Sequence, residues 1–295
     1  MHSYEDIVNI VSHHMSRLNF RERAAYLRDQ TIPRFLYKYR ATPSDEDSMH
    51  SIRDILVNSK LWLSSPADFN DPFDMKAKIV VGSNVQERRK RWDEIVKAQG
   101  LSYNKRKEQV ARLARMPVVE IEKIAQVKNQ EGSEATRVCS FGGKPLSILM
   151  WSHYASNHQG ICLQFDIVRD PKNLMFAQPV DYSDEFPVIN WTNFADFKQG
   201  MIATLLRKHS GWKYEGERRI IALDRTRIPY PFLPEALTAV ILGCRTMQEP
   251  IVELLDERRK NGLAEPKLYR AFQHDLKYRL KLKRIPTDHR KLSKL

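Results

Sequence analysis

Residues 149–166 read LMWSHYASNHQGICLQFD and join a helical segment to an apolar strand. We expect a short helix over Ser147 to Ala155, followed by a strand over residues 160–166. Similar short apolar runs predict strands over TRVCSF (136–141), ERRIIAL (217–223) and TAVILG (238–243). Because these short strands alternate irregularly with helices, the sequence favours an α+β fold with a mixed, largely antiparallel sheet core and flanking helices.

The chain on either side of this core divides into three parts. Residues 1–33 contain two helical patterns and are predicted to form an N-terminal helical extension. Residues 34–285 are predicted to form a single α+β domain, which a helical insertion of three helices interrupts at about 84–130. Residues 286–295 form a basic tail. Further strands are predicted over RFLYKYR (34–40), LWLSS (61–65), KAKIVV (76–81), KLYRAF (267–272) and YRLKLKRI (278–285).

Composition limits the classes of protein to which this chain can belong. Hydrophobic residues make up 42% and charged residues 29% of its 295 residues, which is typical of a globular protein. No long apolar run predicts a transmembrane helix, and the amphipathic start lacks the apolar region of a secretory signal. Three widely separated cysteines predict no disulfide framework. We therefore expect a cytoplasmic protein with no membrane partner.

The charge balance predicts an anionic partner. The formal net charge is +13 and the isoelectric point is about 9.6. Such an excess attracts nucleic acid, nucleotides or anionic lipid. Between Lys277 and Leu295 the chain carries eight basic residues against a lone Asp288. This C-terminal segment is either a solvated basic tail or a surface that contacts phosphates.

Several common catalytic motifs are missing from the sequence. It has no GxxxxGK[ST] phosphate loop, no HExxH metal helix, no GxSxG nucleophile elbow and no GxGxxG after a strand. The nine histidines show no paired metal-ligand spacing, and no metal site is predicted.

Two motifs place aromatic and basic residues where they could face a ligand. Trp151, His153 and Tyr154 lie at the predicted helix-to-strand junction, where aromatic rings beside a histidine suit stacking on a base or nicotinamide ring. The alternative is a core aromatic cluster. Tyr39 and Arg40 end the strand LYKYR (36–40), from which a guanidinium can reach a phosphate or carboxylate. The alternative there is an ordinary edge strand.

Two further motifs supply carboxylates. In WKYEGERR (212–219), Glu215 and Glu217 are two residues apart at the start of a predicted strand, so strand alternation would point both to one side. Such a pair can stabilise a developing cation and bind sugar hydroxyls, or it can be a surface pair bridged to arginines. In FNDPFD (69–74), Asn70, Asp71 and Asp74 could orient a ligand or only close a rigid turn.

Taken together, the motifs LYKYR, FNDPFD and MWSHYASNHQG resemble the bacterial family called domain of unknown function 2971. The resemblance extends from about Leu36 to Ile285, with the helical insertion between its parts. The family name implies no activity.

The order of these motifs also resembles the scaffold of ADP-ribosyltransferases, which split NAD at the bond between nicotinamide and ribose. This resemblance implies an ADP-ribosyltransferase-like fold, with NAD as substrate. Glu217 would support the ribose cation and Glu215 would orient the acceptor, with His153 or Tyr154 beside the nicotinamide. Tyr39 or Arg40 would hold the dinucleotide.

The acceptor would be a nucleic acid or a protein, and the basic surface and C-terminal tail would bring in nucleic acid. The setting would be phage defence or a toxin-like role. Ser140 and Phe141 stand where that family carries a Ser-Thr-Ser triplet.

Two other function classes remain open on the sequence alone. Asp71 and Asp74-Met75-Lys76 are similar to the acid-plus-lysine arrangement of nucleases that hold magnesium beside a phosphodiester. The basic tail and helical insertion would also suit a non-catalytic nucleic-acid-binding protein. The first class predicts dependence on a divalent metal, and the second predicts binding that survives loss of Glu217.

Overall fold

The computed structural model describes residues 4–42, 46–222 and 229–286, so most of the predicted basic tail lies outside the described residues. The described residues form ten helices and fourteen strands, several of them only two residues long. The helices are α1 (Tyr4–Arg17), α2 (Phe20–Asp29), α3 (Glu46–Leu56), α4 (Val85–Lys97), α5 (Tyr103–Ala114), α6 (Val118–Ala135), α7 (Ile148–Tyr154), α8 (Pro171–Leu174), α9 (Phe194–Leu206) and α10 (Glu249–Lys260). The strands are β1 (Phe35–Arg40), β2 (Lys60–Leu61), β3 (Lys78–Val80), β4 (Arg137–Phe141), β5 (Ile161–Asp166), β6 (Gln178–Pro179), β7 (Asp181–Tyr182), β8 (Val188–Asn190), β9 (Arg207–Lys208), β10 (Arg218–Ala222), β11 (Tyr230–Pro231), β12 (Leu237–Leu242), β13 (Lys267–Gln273) and β14 (Leu280–Arg284).

The largest sheet has five strands in the order β1-β5-β12-β13-β14. Its pairs are antiparallel except β12 with β13, where α10 supplies the crossover that a parallel pair needs. β5 lies between two neighbours, and five of its six residues are buried, which explains its nearly continuous apolar sequence. The predicted mixed, largely antiparallel core with flanking helices is therefore confirmed.

A second sheet, in the order β4-β10-β6, lies next to the first. The two meet at a bridge between Tyr37 and Gly142, where Tyr37 N donates to Gly142 O at 3.2 Å and Gly142 N donates to Tyr37 O at 2.6 Å. β1 of the large sheet and β4 of the small sheet thereby come side by side. The candidate site lies where these two strands meet.

The two N-terminal helices pack on the main core. Asn19 and Glu22 form a capping box at the start of α2, in which each side chain accepts from the other residue's backbone N–H. Met15 of α1 and Leu27 of α2 are fully buried in the cluster that also contains β5 and β12 residues. The prediction of two helices before Pro33 is confirmed, and their apolar side chains contribute to the core of the sheet.

The predicted helical insertion consists of α4, α5 and α6, which pack with β3 and β8 around a second hydrophobic cluster. Trp92 of α4 packs edge to face against Trp191, with ring centroids 4.7 Å apart. Residues of β3, β8 and α6 complete this second cluster, which shares no residue with the main core. α6 extends to Ala135, five residues beyond the predicted end of the insertion.

The connection from α7 to β5 is unusually tight. Ser156, Asn157 and His158 all adopt positive φ, which side-chain-bearing residues rarely do in succession. Gly160 follows, and a Cβ there would lie 2.1 Å from the Arg40 carbonyl oxygen. This glycine lets α7 turn directly onto the end of β1, and so brings His153 and Tyr154 beside Arg40.

The strand predicted over Val180 to Tyr182 is present as β7, four other short strands were not predicted, and several predicted strands are shorter than expected. β6, β8, β9 and β11 have two or three residues each, too few to show an alternating pattern. The predicted strand over 61–65 is reduced to Lys60–Leu61, although Ser64 still forms a bridge to Val138.

Candidate active site

A cleft of about 340 Å³ is lined by residues of β1, β4 and α7, by residues 68–70, and by Glu215 and Glu217 before β10. Eight of the ten side chains predicted from the sequence line this cleft, namely Tyr39, Arg40, Asn70, Asp74, His153, Tyr154, Glu215 and Glu217. The cleft is within the size range of small-molecule sites. It therefore brings together residues that lie up to 178 positions apart along the chain.

Glu215 and Glu217 converge through a turn. Glu215 ends a 3₁₀ turn (Ser210–Glu215), and Gly216 takes a left-handed conformation with φ of 52° before β10 begins at Arg218. Only this glycine separates the two carboxylates, and both accept from the same ammonium. Lys208 Nζ lies 2.7 Å from Glu215 Oε2 and 3.3 Å from Glu217 Oε2. The two carboxylates therefore converge because of the turn at Gly216. The prediction had attributed their convergence to alternate residues of one strand facing the same side.

A second cation lies behind Glu217. Arg219 donates from Nε to Glu217 Oε1 at 2.9 Å and from Nη2 to Glu217 Oε2 at 3.0 Å. The same Nη2 donates to Asp74 Oδ2 at 2.6 Å, and Nη1 donates to the Leu205 carbonyl at 2.9 Å. The side chain of Arg219 is completely buried. We call the set Asp74, Lys208, Glu215, Glu217 and Arg219 the acid wall, because its three carboxylates outnumber its two cations.

The acid wall shifts the pKa values of its two glutamates in opposite directions. Burial by itself would raise the pKa of Glu217, but Arg219 and Lys208 outweigh it and lower that pKa to about 2. Burial raises the pKa of Glu215, against the opposing pull of Lys208 and a hydrogen bond from Tyr154. Burial also raises the pKa of Asp74 despite its contact with Arg219. Of the three carboxylates, only Glu217 therefore has a lowered pKa.

Two further cations line the cleft from β1, the buried Lys38 and the half-buried Arg40, and we call this pair the basic wall. Lys38 Nζ donates to the Ser140 carbonyl at 3.0 Å and lies over the Phe141 ring. Arg40 Nε is buried without a hydrogen-bond partner among the described residues. Burial lowers the pKa of both side chains, and within the described part of the chain neither forms an ion pair with a carboxylate. Such cations favour an anionic ligand.

Aromatic rings surround the mouth of the cleft. Tyr154 donates its hydroxyl to Glu215 Oε1 at 2.6 Å, and burial, followed by this contact, raises the pKa of the Tyr154 phenol. The exposed His153 ring lies 6.3 Å from the rings of both Trp212 and Tyr214, measured between centroids. Tyr39 donates its hydroxyl to the Lys144 carbonyl at 2.7 Å, and this lining residue is largely buried against Trp151.

Two predicted residues lie outside the cleft. Trp151 is fully buried, donates its indole N–H to the Pro145 carbonyl at 2.9 Å, and packs edge to face on Tyr39. It matches the core alternative and contacts the cleft only through Tyr39. Asp71 accepts from the Phe73 backbone N–H at 2.9 Å, as expected for a rigid turn, and lines a neighbouring cavity that meets the cleft at Lys208.

Three charged residues of the site were not among the predicted site residues. Lys38 lies two residues before the predicted Arg40 on β1. A lysine within an apolar strand was the sequence feature that could have identified it. Arg219 follows Glu217 in ERR and was interpreted only as a partner of a surface pair. No sequence feature identifies Lys208 as a site residue, because β9 is two residues long and no motif surrounds this lysine. A buried lysine between two glutamates becomes visible only in three dimensions.

No group of three or more His, Cys, Asp or Glu side chains within residues 4–42, 46–222 and 229–286 is placed to hold a metal ion. Asp71 and Asp74, which the nuclease alternative needs together, face different cavities.

Within the described ranges, no helix is long and apolar enough to cross a bilayer.

Comparison with known families supports one of the two resemblances. Residues 150–220 match the family described as protein of unknown function, DUF2971. This DUF2971 segment includes α7, β5, Lys208, both glutamates and Arg219, so it contains the acid wall except Asp74. The basic wall on β1 lies outside it. No curated protein and no solved structure was found to match the chain.

Proposed function

We propose that the protein is an NAD-consuming enzyme of ADP-ribosyltransferase type that acts on a nucleic-acid or protein acceptor. The observation that carries the proposal is a single cleft lined by both carboxylates and cations. Glu215 and Glu217 belong to the acid wall, and Lys38 and Arg40 belong to the basic wall. NAD has the matching polarity, with an anionic pyrophosphate and a ribose that gains positive charge during cleavage.

In the proposed reaction, the bond between the nicotinamide nitrogen and ribose C1′ breaks, and its electron pair leaves with nicotinamide. The positive charge of NAD then passes to the sugar as an oxocarbenium-like state. An ionised carboxylate beside the sugar stabilises that state more than the ground state, because its interaction grows as charge develops. Glu217 suits this role because its low pKa keeps it ionised.

The acceptor completes the reaction. A nucleophilic hydroxyl or nitrogen of the acceptor attacks C1′ and forms the new bond, while its proton must pass to a base. Glu215 suits this role, since burial raises its pKa above that of an ordinary glutamate. Lys38 and Arg40 would bind the pyrophosphate, and His153 and Tyr154 would supply ring surfaces beside the nicotinamide, since all four line the cleft.

The test is nicotinamide release from NAD by the purified protein, measured alone and with added DNA, RNA or cell lysate. Glu217→Gln is expected to reduce release by at least 100-fold, a factor typical of loss of one electrostatic group. Glu253→Gln, on an exposed position of α10, is the matched control and should retain wild-type release. Circular dichroism and thermal melting of each variant verify folding.

Two results would contradict the proposal. One is the absence of nicotinamide release under every condition together with no calorimetric binding of NAD. The other is release that folded Glu217→Gln retains in full. Magnesium-dependent cleavage of a nucleic acid without nicotinamide release would favour the nuclease alternative instead.

A further inference from the structure

The β13–β14 hairpin, residues 267–284, is the most basic exposed part of the described chain. Residues 267–286 contain seven lysines and arginines against a single acidic residue, Asp275. This segment therefore supplies nearly half of the formal net charge of +13. β14 is the edge strand of the five-stranded sheet, on the edge opposite to β1 and the cleft.

Most of these charges have no internal role. Among the described residues, no ion pair is formed by Lys277, Arg279, Lys283 or Arg284, and Lys281 pairs only with the highly exposed Asp275. Lys281 and Lys283 lie on one face of β14, about 7 Å apart along the strand. Because Asp275 offsets only one of these charges, the segment retains a strong positive potential, which attracts a polyanion.

The hairpin also exposes apolar rings. Tyr278, at its tip, is fully exposed, and Leu276 next to it is 89% exposed. Phe272 is 39% exposed and lies directly opposite Lys281 in the ladder. Lysines on an edge strand can serve to prevent pairing with other sheets, which would account for Lys281 and Lys283. That explanation does not account for a fully exposed tyrosine between Lys277 and Arg279.

Cations interleaved with exposed rings are typical of surfaces that bind single-stranded nucleic acid. The cations contact the phosphates, and each ring stacks on a base, which is accessible only when the strand is unpaired. A duplex hides its bases and would make no use of Tyr278. We propose that the β13–β14 hairpin is a binding surface for single-stranded nucleic acid, separate from the cleft. The proposal stands independently of the activity of Glu217.

The test measures binding of a fluorescein-labelled 20-nucleotide dT or rU strand to the full chain between 50 and 300 mM salt. Replacing Lys277, Arg279 and Lys283 together by glutamate should weaken binding at least tenfold and reduce the slope of log K against log salt by about 2, since each lost phosphate contact removes about 0.7. Tyr278→Ala should weaken binding about tenfold, as loss of one stacked base does, with little change in that slope.

A matched variant separates this surface from net charge. Lys105, Lys107 and Lys123 are exposed on the helical insertion, and replacing all three by glutamate changes the net charge equally. This variant should retain binding within about twofold at 150 mM salt, where charges beyond ~8 Å are screened. Deletion of residues 287–295 should leave the tenfold effect of Tyr278→Ala intact.

Three results would overturn the proposal. Equal loss in the two triple variants would show attraction by net charge alone. Unchanged binding in Tyr278→Ala would remove the stacking contact. Tighter binding to a 20-base-pair duplex, or to vesicles with 30% phosphatidylserine, than to the single strand would assign the hairpin to a different partner.

Discussion

Arg219 binds both oxygens of the Glu217 carboxylate from within the protein, at 2.9 and 3.0 Å, and the same side chain also binds Asp74. Such two-point contacts between a guanidinium and a carboxylate fix orientation as well as charge. The carboxylate of Glu217 is therefore held in one position before any ligand arrives. A group oriented in advance stabilises a developing charge without the cost of reorganising.

The first prediction concerns the stability of this buried pair. Arg219→Met would leave Glu217 and Asp74 buried near a single remaining cation, so the free energy of unfolding should fall by about 3–5 kcal/mol. Urea denaturation measures this loss. Arg259→Met removes the exposed ion pairs of Arg259 with Asp256 and Glu265 and should cost less than about 1 kcal/mol. Equal losses in the two variants would contradict the buried network.

The second prediction concerns pH. The pKa of Glu217 is lowered from 4.5 to about 2 on folding, so its ionised form stabilises the fold by on the order of 3 kcal/mol above pH 4.5. This contribution is lost as the pH falls from about 4.5 towards 2. The difference in unfolding free energy between wild type and Glu217→Gln should therefore shrink over that range. A difference in unfolding free energy that stays constant from pH 7 to pH 2.5 would contradict this prediction.

The third prediction concerns Lys208. Its ammonium lowers the pKa of Glu215, so Lys208→Met should raise the pKa of that carboxyl further. Carbon-13 NMR of the glutamate carboxyl carbons would follow the change. If the proposed activity holds, the acidic limb of nicotinamide release should move to higher pH in the same variant. Lys213→Met, an exposed change in the same turn, should leave the Glu215 titration where it is.

The fourth prediction concerns Gly160. A Cβ at this position would lie 2.1 Å from the Arg40 carbonyl oxygen and 2.8 Å from the Ala155 Cα, so Gly160→Ala must displace backbone. We expect a loss of about 1–3 kcal/mol in thermal or urea unfolding. Gly132→Ala is the control, because nothing lies within 4 Å of its Cβ position in α6. Gly132→Ala should stabilise the protein by about 0.5–1 kcal/mol. A larger loss of stability in Gly132→Ala than in Gly160→Ala would contradict the close contact at Gly160.

The sequence predicted the longer elements of the fold because each of them has a periodic apolar pattern. α4, α5 and α6 repeat apolar residues at helical spacing, and β5 is apolar almost throughout. The order of strands within the sheets was not predictable, since pairing depends on contacts between distant segments. β1 pairs with β5, more than 120 residues later along the chain. No pattern within either strand specifies the other.

The candidate site shows the same limit at the level of single residues. Glu215 and Glu217 stood out because they form a local motif, and the structure places them in one cleft. Lys208 has no such motif and is nonetheless the side chain that joins them. Trp151 was chosen for its chemistry, but an apolar ring on a short helix packs into the core as readily as it faces a ligand.

The separate hydrophobic cluster of the helical insertion has a consequence for how the molecule opens. Because this cluster shares no residue with the main core, its amide hydrogens should exchange with solvent as one cooperative unit, at a lower free energy than those of β5 and β12. The unit that opens would comprise α4, α5, α6, β3 and β8, because residues of all five elements form the cluster. Transient exposure of its apolar surface would make this unit, and not the sheet, the first target of proteases.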